Sequence, residues 1–262
     1  MEEKKEKKEK SVWNNYTAEE KQELFQLNED YKAFLSQCKT ERESTEEIVR
    51  QAELKGYRNL QDIIKNGETL KAGDKVYATC MKKAVAMFNI GSRNLEEGMS
   101  ILGAHIDTCR LDLKQKPLYE ADGMAYFDTH YYGGIKKYQW VTLPLALHGV
   151  VVKKDGTVVK IVVGENEDDP VFCVTDLLPH LAKEQMDRKL GDGIRGEELN
   201  ILIGSIPFRD DAVSEKVKLN IANLLFDKYG IVEEDFQSAE LVVVPAGKCR
   251  EVGFDRSLLG AF

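Results

Sequence analysis

The sequence predicts an α/β protein that carries a β-rich insertion. Three observations predict it. Apolar residues recur at helical spacing before residue 67, a glycine-punctuated series of strand-like runs fills the middle, and a buried apolar run, AELVVV, returns at 239–244.

The elements follow in order. Residues 1–16 read as a charged flexible tail, because the opening MEEKKEKKEK alternates Lys and Glu and offers no apolar stripe to bury. Thr17 followed by Glu20 has the spacing of a capping box, and Leu24, Leu27, Tyr31, Phe34 and Leu35 then mark one face of a long amphipathic helix. A second helix is predicted from Ser44 to Lys55, stopped by Gly56, and a short third one from Leu60 to Ile64. Short strands are predicted at Lys75 to Thr79 and Lys83 to Asn89. Ser100 to Asp107, SILGAHID, reads as a buried strand that delivers His and Asp at its carboxyl end, where open α/β sheets build their sites.

Beyond Asp107 the runs Gln139 to Leu147 and Val150 to Lys153 read as strands. Asp155-Gly156 predicts a hairpin with a type I′ turn, which wants positive φ at both central positions. Helices are predicted from Val174 to Leu190 and from Ser214 to Tyr229, before the strand at Ala239 to Val244. The organisation expected is therefore tail 1–16, the first part of an α/β domain at 17–108, a β-rich segment at 109–239, and a return to the α/β domain at 240–262.

Composition narrows the function classes. With 37 Lys plus Arg against 45 Asp plus Glu, the 262-residue chain has a net charge of −8, which disfavours a nucleic-acid partner held by phosphate neutralisation. Apolar residues make up 42%, enough for a real core. No apolar run is long enough to cross a bilayer as a helix and the amino terminus lacks a secretory pattern, so no membrane partner and a cytoplasmic location are expected. The five scattered cysteines contain no C-x-x-C pair and read as reduced thiols.

The chemistry-bearing motif is Gly103-Ala104-His105-Ile106-Asp107. Strand alternation places His105 and Asp107 on one face, where a neutral imidazole suits zinc and a neighbouring carboxylate can orient it. H-x-D alone is unspecific, and a strand-end pair bonding to loops is the bland alternative. Cys109, close to His105, is weak ground for a nucleophile. Gly191 to Gly196 fits G-x-G-x-x-G, but a helical MDRKL precedes it and a β-type NILIG follows. That order is the reverse of a dinucleotide fingerprint, so the segment reads as a loop. His130, His148 and His180 read as surface or packing residues on local sequence. No Walker, G-x-S-x-G or H-E-x-x-H pattern occurs.

The run GAHIDTCRLDLKQKPLYEADGMAYFDTHYYGGIKKYQWVTLPLALHGVVVKKDGT, with LLPHLA and GFDRSLLGAF later, resembles the aspartyl aminopeptidase and vacuolar aminopeptidase I family of dinuclear zinc metallopeptidases, bacterial members in particular. The resemblance covers nearly all of the chain beyond the tail. It implies a three-layer zinc-peptidase catalytic domain, partial here, with residues 109–239 as an inserted dimerisation domain. It implies peptide substrates, and homodimers that build to a dodecamer. His105 matches the first zinc ligand and Asp107 the acidic residue that orients the ligands. His180 resembles a histidine that crosses the dimer interface to help the partner's site hold the oxyanion. In the family two zinc ions activate a shared water, and a glutamate moves the proton.

The family's bridging aspartate, catalytic glutamate, other acidic ligands and last histidine follow the segment resembling GFDRSLLGAF, and this sequence stops at Phe262. One ligand cannot hold two zinc ions, so the expectation is an amino-terminal part of an aminopeptidase without peptidase activity of its own. The alternative is a short, non-catalytic paralogue that binds full-length subunits. Either way, Ile101, Leu102 and the Leu241 to Val244 strand are expected to lack partners.

Overall fold

Helix formation begins where Thr17 caps it. In the computed structural model, which describes residues 11–209 and 212–262, the Thr17 hydroxyl accepts from the Glu20 amide and the Glu20 carboxylate accepts from the Thr17 amide. Both halves of the predicted capping box are thus present, and α1 runs over Ala18–Gln37. The expectation for residues 1–10 lies outside the described residues. Residues 11–16, counted with the charged tail, instead carry a one-turn 3-10 helix whose Trp13 ring lies 6.4 Å from that of Phe25.

Thr40 caps α2 (Glu41–Leu54) through its hydroxyl, which accepts from the Glu43 amide, three residues earlier than the sequence predicts. The two-residue strand β1 (Arg58–Asn59) leads into α3 (Leu60–Lys65). Strands β2 (Lys75–Cys80) and β3 (Ala84–Asn89) form an antiparallel hairpin, giving a small sheet ordered β1-β2-β3.

The main sheet starts at β4 (Arg110–Ala121) and β5 (Met124–Tyr132). Asp122 and Gly123, at φ of 51° and 73°, are the two central residues between them, so this Asp-Gly pair makes the tight two-residue hairpin. The predicted Asp155-Gly156 hairpin also forms, between β6 (Leu145–Val152) and β7 (Val158–Val163). Its loop is longer, however: the Lys153 amide bonds the Thr157 carbonyl and only Gly156 has positive φ, so the type I′ expectation fails there. The two strand-like runs predicted at 139–153 are one strand, β6, preceded by a 3-10 turn at Lys137–Gln139.

The helix predicted over 174–190 is reduced to one turn, α4 (Lys183–Met186). Val174 is tied to Val141 by a β-bridge, and Pro179 interrupts any helix attempted through Leu178. The G-x-G-x-x-G segment is irregular, as read, and is followed by β8 (Ile201–Gly204). Helix α5 (Lys216–Tyr229) starts near its predicted position; the amides of Val217 and Lys218 both donate to Glu120 Oε2, at 2.8 and 2.9 Å. Strand β9 (Ala239–Pro245) and the small hairpin of β10 (Arg250–Val252) and β11 (Leu258–Gly260) complete the order.

The six-stranded sheet runs β7-β6-β9-β4-β5-β8 with antiparallel neighbours. Strand β9 therefore sits between two partners, with Val243 opposite Leu111 on one side and Leu147 on the other. The expectation that Leu241 to Val244 lacks partners is wrong: all four residues are buried in the sheet centre. Hydrogen bonding also carries this sheet past residue 239 to Pro245. Its core gathers Leu111, Leu145, Leu199 and Ile201, each with no exposed surface, and α5 packs Ile221 and Leu225 against it.

A polar clasp, buried at Lys39 and His148 and partly buried at Glu43 and Glu165, joins the first helices to this sheet. His148 of β6 bonds Glu43 through Nδ1 at 2.8 Å and Glu165 through Nε2 at 2.9 Å. Lys39 Nζ donates to Glu165 Oε1 at 2.6 Å and to the carbonyls of Pro245 and Gly247. Burial pushes the His148 pKa down, but the two carboxylates outweigh it and hold it above its ordinary value. Burial likewise pushes Glu43 and Glu165 up, and their bonds to His148, with Lys39 at Glu165, leave both below the ordinary carboxylate range.

Candidate functional site

The segment carrying His105 takes an unexpected form. Residues 100–107 hold no strand, and Ile101 and Leu102 are 78% and 101% exposed. A strand needs a hydrogen-bonded neighbour, and among the described residues none lies beside SILGAHID. The expected lack of partners at Ile101 and Leu102 is therefore met.

His105 and Asp107 nevertheless come together. The ring Nδ1 lies 2.8 Å from the Asp107 backbone carbonyl and 3.5 Å from Asp107 Oδ1. A carbonyl only accepts, so Nδ1 carries the hydrogen of that bond and the neutral ring keeps its free lone pair on Nε2. The imidazole side chain is 84% exposed.

Asp107 is held in turn by residues that sequence reasoning missed. The β4–β5 ladder pairs Arg110 with Tyr132, which places the two side chains at the mouth of the sheet beside Asp107. The guanidinium carbon of Arg110 lies 4.0 Å from the Tyr132 ring centroid, a cation–π contact. Arg110 is itself fixed by Glu41 at 2.7 Å and Asp112 at 2.7 Å, and the Tyr132 hydroxyl donates to Asp107 Oδ2 at 2.9 Å. This bond holds the Asp107 carboxyl below its ordinary pKa and the Tyr132 phenol above its own.

One sequence signal for this arrangement exists. Tyr132 precedes Gly133, whose φ is +83° and where an added Cβ would come to 3.0 Å of Cys109 Sγ. The glycine permits the chain after β5 to close against the residues that lead from Asp107 into β4.

His180 lies elsewhere. It sits exposed in a turn after Pro179, and no hydrogen bond or ion pair joins it to His105 or Asp107 among the described residues. His130 is exposed on β5, its ring 5.3 Å from that of Tyr131. A zinc ion takes about four donors. Among the described residues no group of three or more His, Cys, Asp or Glu comes together to hold a metal, so these residues do not by themselves fit a zinc pair. No described helix is long and apolar enough to cross a membrane.

Similarity to known proteins shows the family to which the chain belongs. Residues 34–262 match the family model described as aminopeptidase I zinc metalloprotease (M18). A Clostridium acetobutylicum protein named probable M18 family aminopeptidase 1 is 58% identical over 250 residues, covering 95% of this chain and 54% of that protein. The crystal structure of an M18-family aminopeptidase from Thermotoga maritima superposes with a TM-score of 0.89 at 43% identity, over 97% of this chain and 54% of the other. The yeast mApe1 dodecamer matches at a TM-score of 0.63 and 17% identity, over 89% of this chain and 51% of that one, and shares the fold. The chain spans about half the length of the relatives it matches. With residues 34–262 covered by the family model, the chain belongs to the aminopeptidase I (M18) family of zinc metalloproteases.

Proposed function

We propose that this chain contributes to a zinc-dependent aminopeptidase that removes amino-terminal residues from peptides. In this reading His105 is a zinc ligand, Asp107 orients it, and His180 serves the site of a partner subunit across a dimer made by residues 109–239. The observation that carries the reading is the His105 ring itself, exposed, with Nδ1 engaged by Asp107 and Nε2 open to an electrophile, inside a segment that matches the family. The yeast relative is described as a dodecamer, which supports a homo-oligomeric assembly here. A cytoplasmic setting is supported by five cysteines that are all unpaired thiols.

The same reading has the chain inactive on its own, because one imidazole and one carboxylate cannot bind two zinc ions and the remaining donors are not gathered among the described residues. The test incubates purified chain with Zn2+ and chromogenic aminoacyl substrates, alongside calorimetric zinc titration. No zinc-dependent release and no stoichiometric zinc uptake are expected, and either one would overturn the inactivity.

The second reading, a non-catalytic subunit-binding protein, is favoured by one observation. The six-stranded sheet has every strand and its own core within the described residues. Co-elution with the full-length Clostridium relative on a sizing column, without change in that relative's activity, is its expected signature.

A further inference from the structure

Helix α5 packs on the core of the six-stranded sheet and is held at both ends. At its start the Val217 and Lys218 amides share Glu120 Oε2. At its end Gly230, at φ of +62°, turns the chain so close to Lys153 that an added Cβ would come to 2.6 Å of Nζ. In its first half the helix touches the sheet directly, since a Cβ on Gly204 of β8 would meet Ile221 Cδ1 at 2.6 Å. Further along, Leu224 and Leu225 roof a cavity of about 170 Å³, walled by Leu147, Ile161 and Leu241 of the sheet and by Phe236. Close-packed interiors leave few gaps larger than a water molecule, and an apolar cavity of about 150 Å³ lined by Leu, Ile and Phe accepts benzene.

Charge at the mouth selects the ligand. Among the described residues that line the cavity, Lys228 alone is charged; it is exposed, as is Leu224 beside it, and its Nζ lies 5.2 Å from the Tyr229 ring centroid. No carboxylate among the described residues pairs with it at ion-pair distance. Asp169, on which it acts electrostatically, is already engaged, because its Oδ2 accepts from the Gly164 amide and from the amide and side chain of Asn166. We propose that this cavity binds a short anionic amphiphile, a carboxylate whose aryl ring or straight chain of about six to eight carbons lies beneath α5 while its head meets the Lys228 ammonium. The apolar walls take the tail out of water, and Lys228 at the rim lets the carboxylate stay paired and partly hydrated. A free amino acid or peptide does not fit, since its ammonium would find no carboxylate in the lining. The inference goes beyond the peptidase reading and does not rest on it.

The test titrates the 262-residue chain with octanoate, and in parallel with octanol, octylamine and acetate, by calorimetry and methyl NMR. Single-site binding of octanoate is expected, with the Leu147, Ile161 and Leu225 methyl signals shifted and the melting temperature rising as ligand is added. Octanol, which has the tail without the charge, should bind about tenfold more weakly or less. Acetate lacks the tail and octylamine carries the wrong sign, so neither should shift those methyls. Lys228→Glu alters an exposed side chain and should leave the melting of the unliganded chain unchanged. In that variant octanoate should weaken by about tenfold or more and octylamine should bind. Three results overturn the proposal: octanoate that leaves the three methyl signals unmoved, octanol that binds as tightly as octanoate, or octanoate binding that Lys228→Glu does not weaken.

Discussion

The Tyr132 hydroxyl donates to Asp107 Oδ2 at 2.9 Å across 25 residues of sequence, and Arg110 beneath the ring fixes where that hydroxyl points. Glu41 and Asp112 hold Arg110, so the amino terminus of α2 is linked through one stacked pair to the carboxylate beside His105.

Tyr132→Phe keeps the ring over Arg110 and removes only the hydroxyl. The Asp107 carboxyl should titrate at a higher pH than in the parent protein, because the bond that depresses it is gone. Carboxyl carbon NMR reads the change. An unchanged Asp107 titration would mean the bond is not formed in solution.

The His148 clasp sets a pH window for stability. His148 is raised in the folded state, so its contribution is full below the ordinary histidine value of about 6.5 and is lost as pH rises through the folded value. Glu43 and Glu165 are lowered, so theirs is full above about 4.3 and is lost as pH falls through their folded values. Urea unfolding should therefore be hardest at mildly acidic pH and ease on the alkaline side. His148→Ala should cost about 3 kcal/mol, because it leaves two partly buried carboxylates short of a partner, and should flatten the alkaline slope. A parent protein equally stable from mildly acidic to alkaline pH would contradict the clasp.

Gly149→Ala tests the centre of the sheet. Gly149 has φ of +140° and a Cβ there would overlap the Glu240 carbonyl of the neighbouring strand. The backbones of β6 and β9 would have to separate, at a cost of about 3 kcal/mol or more. Chemical denaturation measures it, and a loss under about 0.5 kcal/mol, the range of an ordinary surface change, would show that the strands do not approach so closely.

Thr17→Ala removes the cap of a helix that buries no residue fully, so its effect should be local. About 1 kcal/mol of protection should disappear from the Glu20 amide and its neighbours in hydrogen exchange. The main cooperative unfolding should scarcely move.

What the sequence revealed depended on how far apart the partners lie. The Thr17 to Glu20 cap, the strands β2 and β3 and the AELVVV strand are local or strongly apolar, and each appears where it was expected. Of the three Asp-Gly pairs, the two that join neighbouring strands could not be ranked by local rules, because the residues beyond the turn decide how many pair across it. Asp122-Gly123 is closed by the ladder pair Ala121 and Met124, whereas the last ladder pair before Asp155-Gly156 is Val152 and Val158, with one further bond from the Lys153 amide to the Thr157 carbonyl. The helix expected at 174–190 had its first residue, Val174, taken into a β-bridge with Val141, and the residue before it, Cys173, into one with Leu202, which no helical periodicity reports. At the site, His105 and Asp107 were legible as a motif. Tyr132, Arg110 and Glu41 were not, because Glu41 reaches Arg110 over 69 positions. The clasp of Lys39, Glu43, His148 and Glu165 was hidden for the same reason, with Lys39 and Glu165 126 residues apart.

The central place of β9 has a consequence for how the molecule is made. Strands β6 and β7 leave the ribosome as one hairpin and β4 and β5 as another, yet neither can join the other until residues 239–245 emerge and slide between them. For the time it takes to translate some eighty residues after β7, the nascent polypeptide carries two half-sheets with bare inner edges, and that interval is when it most needs a chaperone.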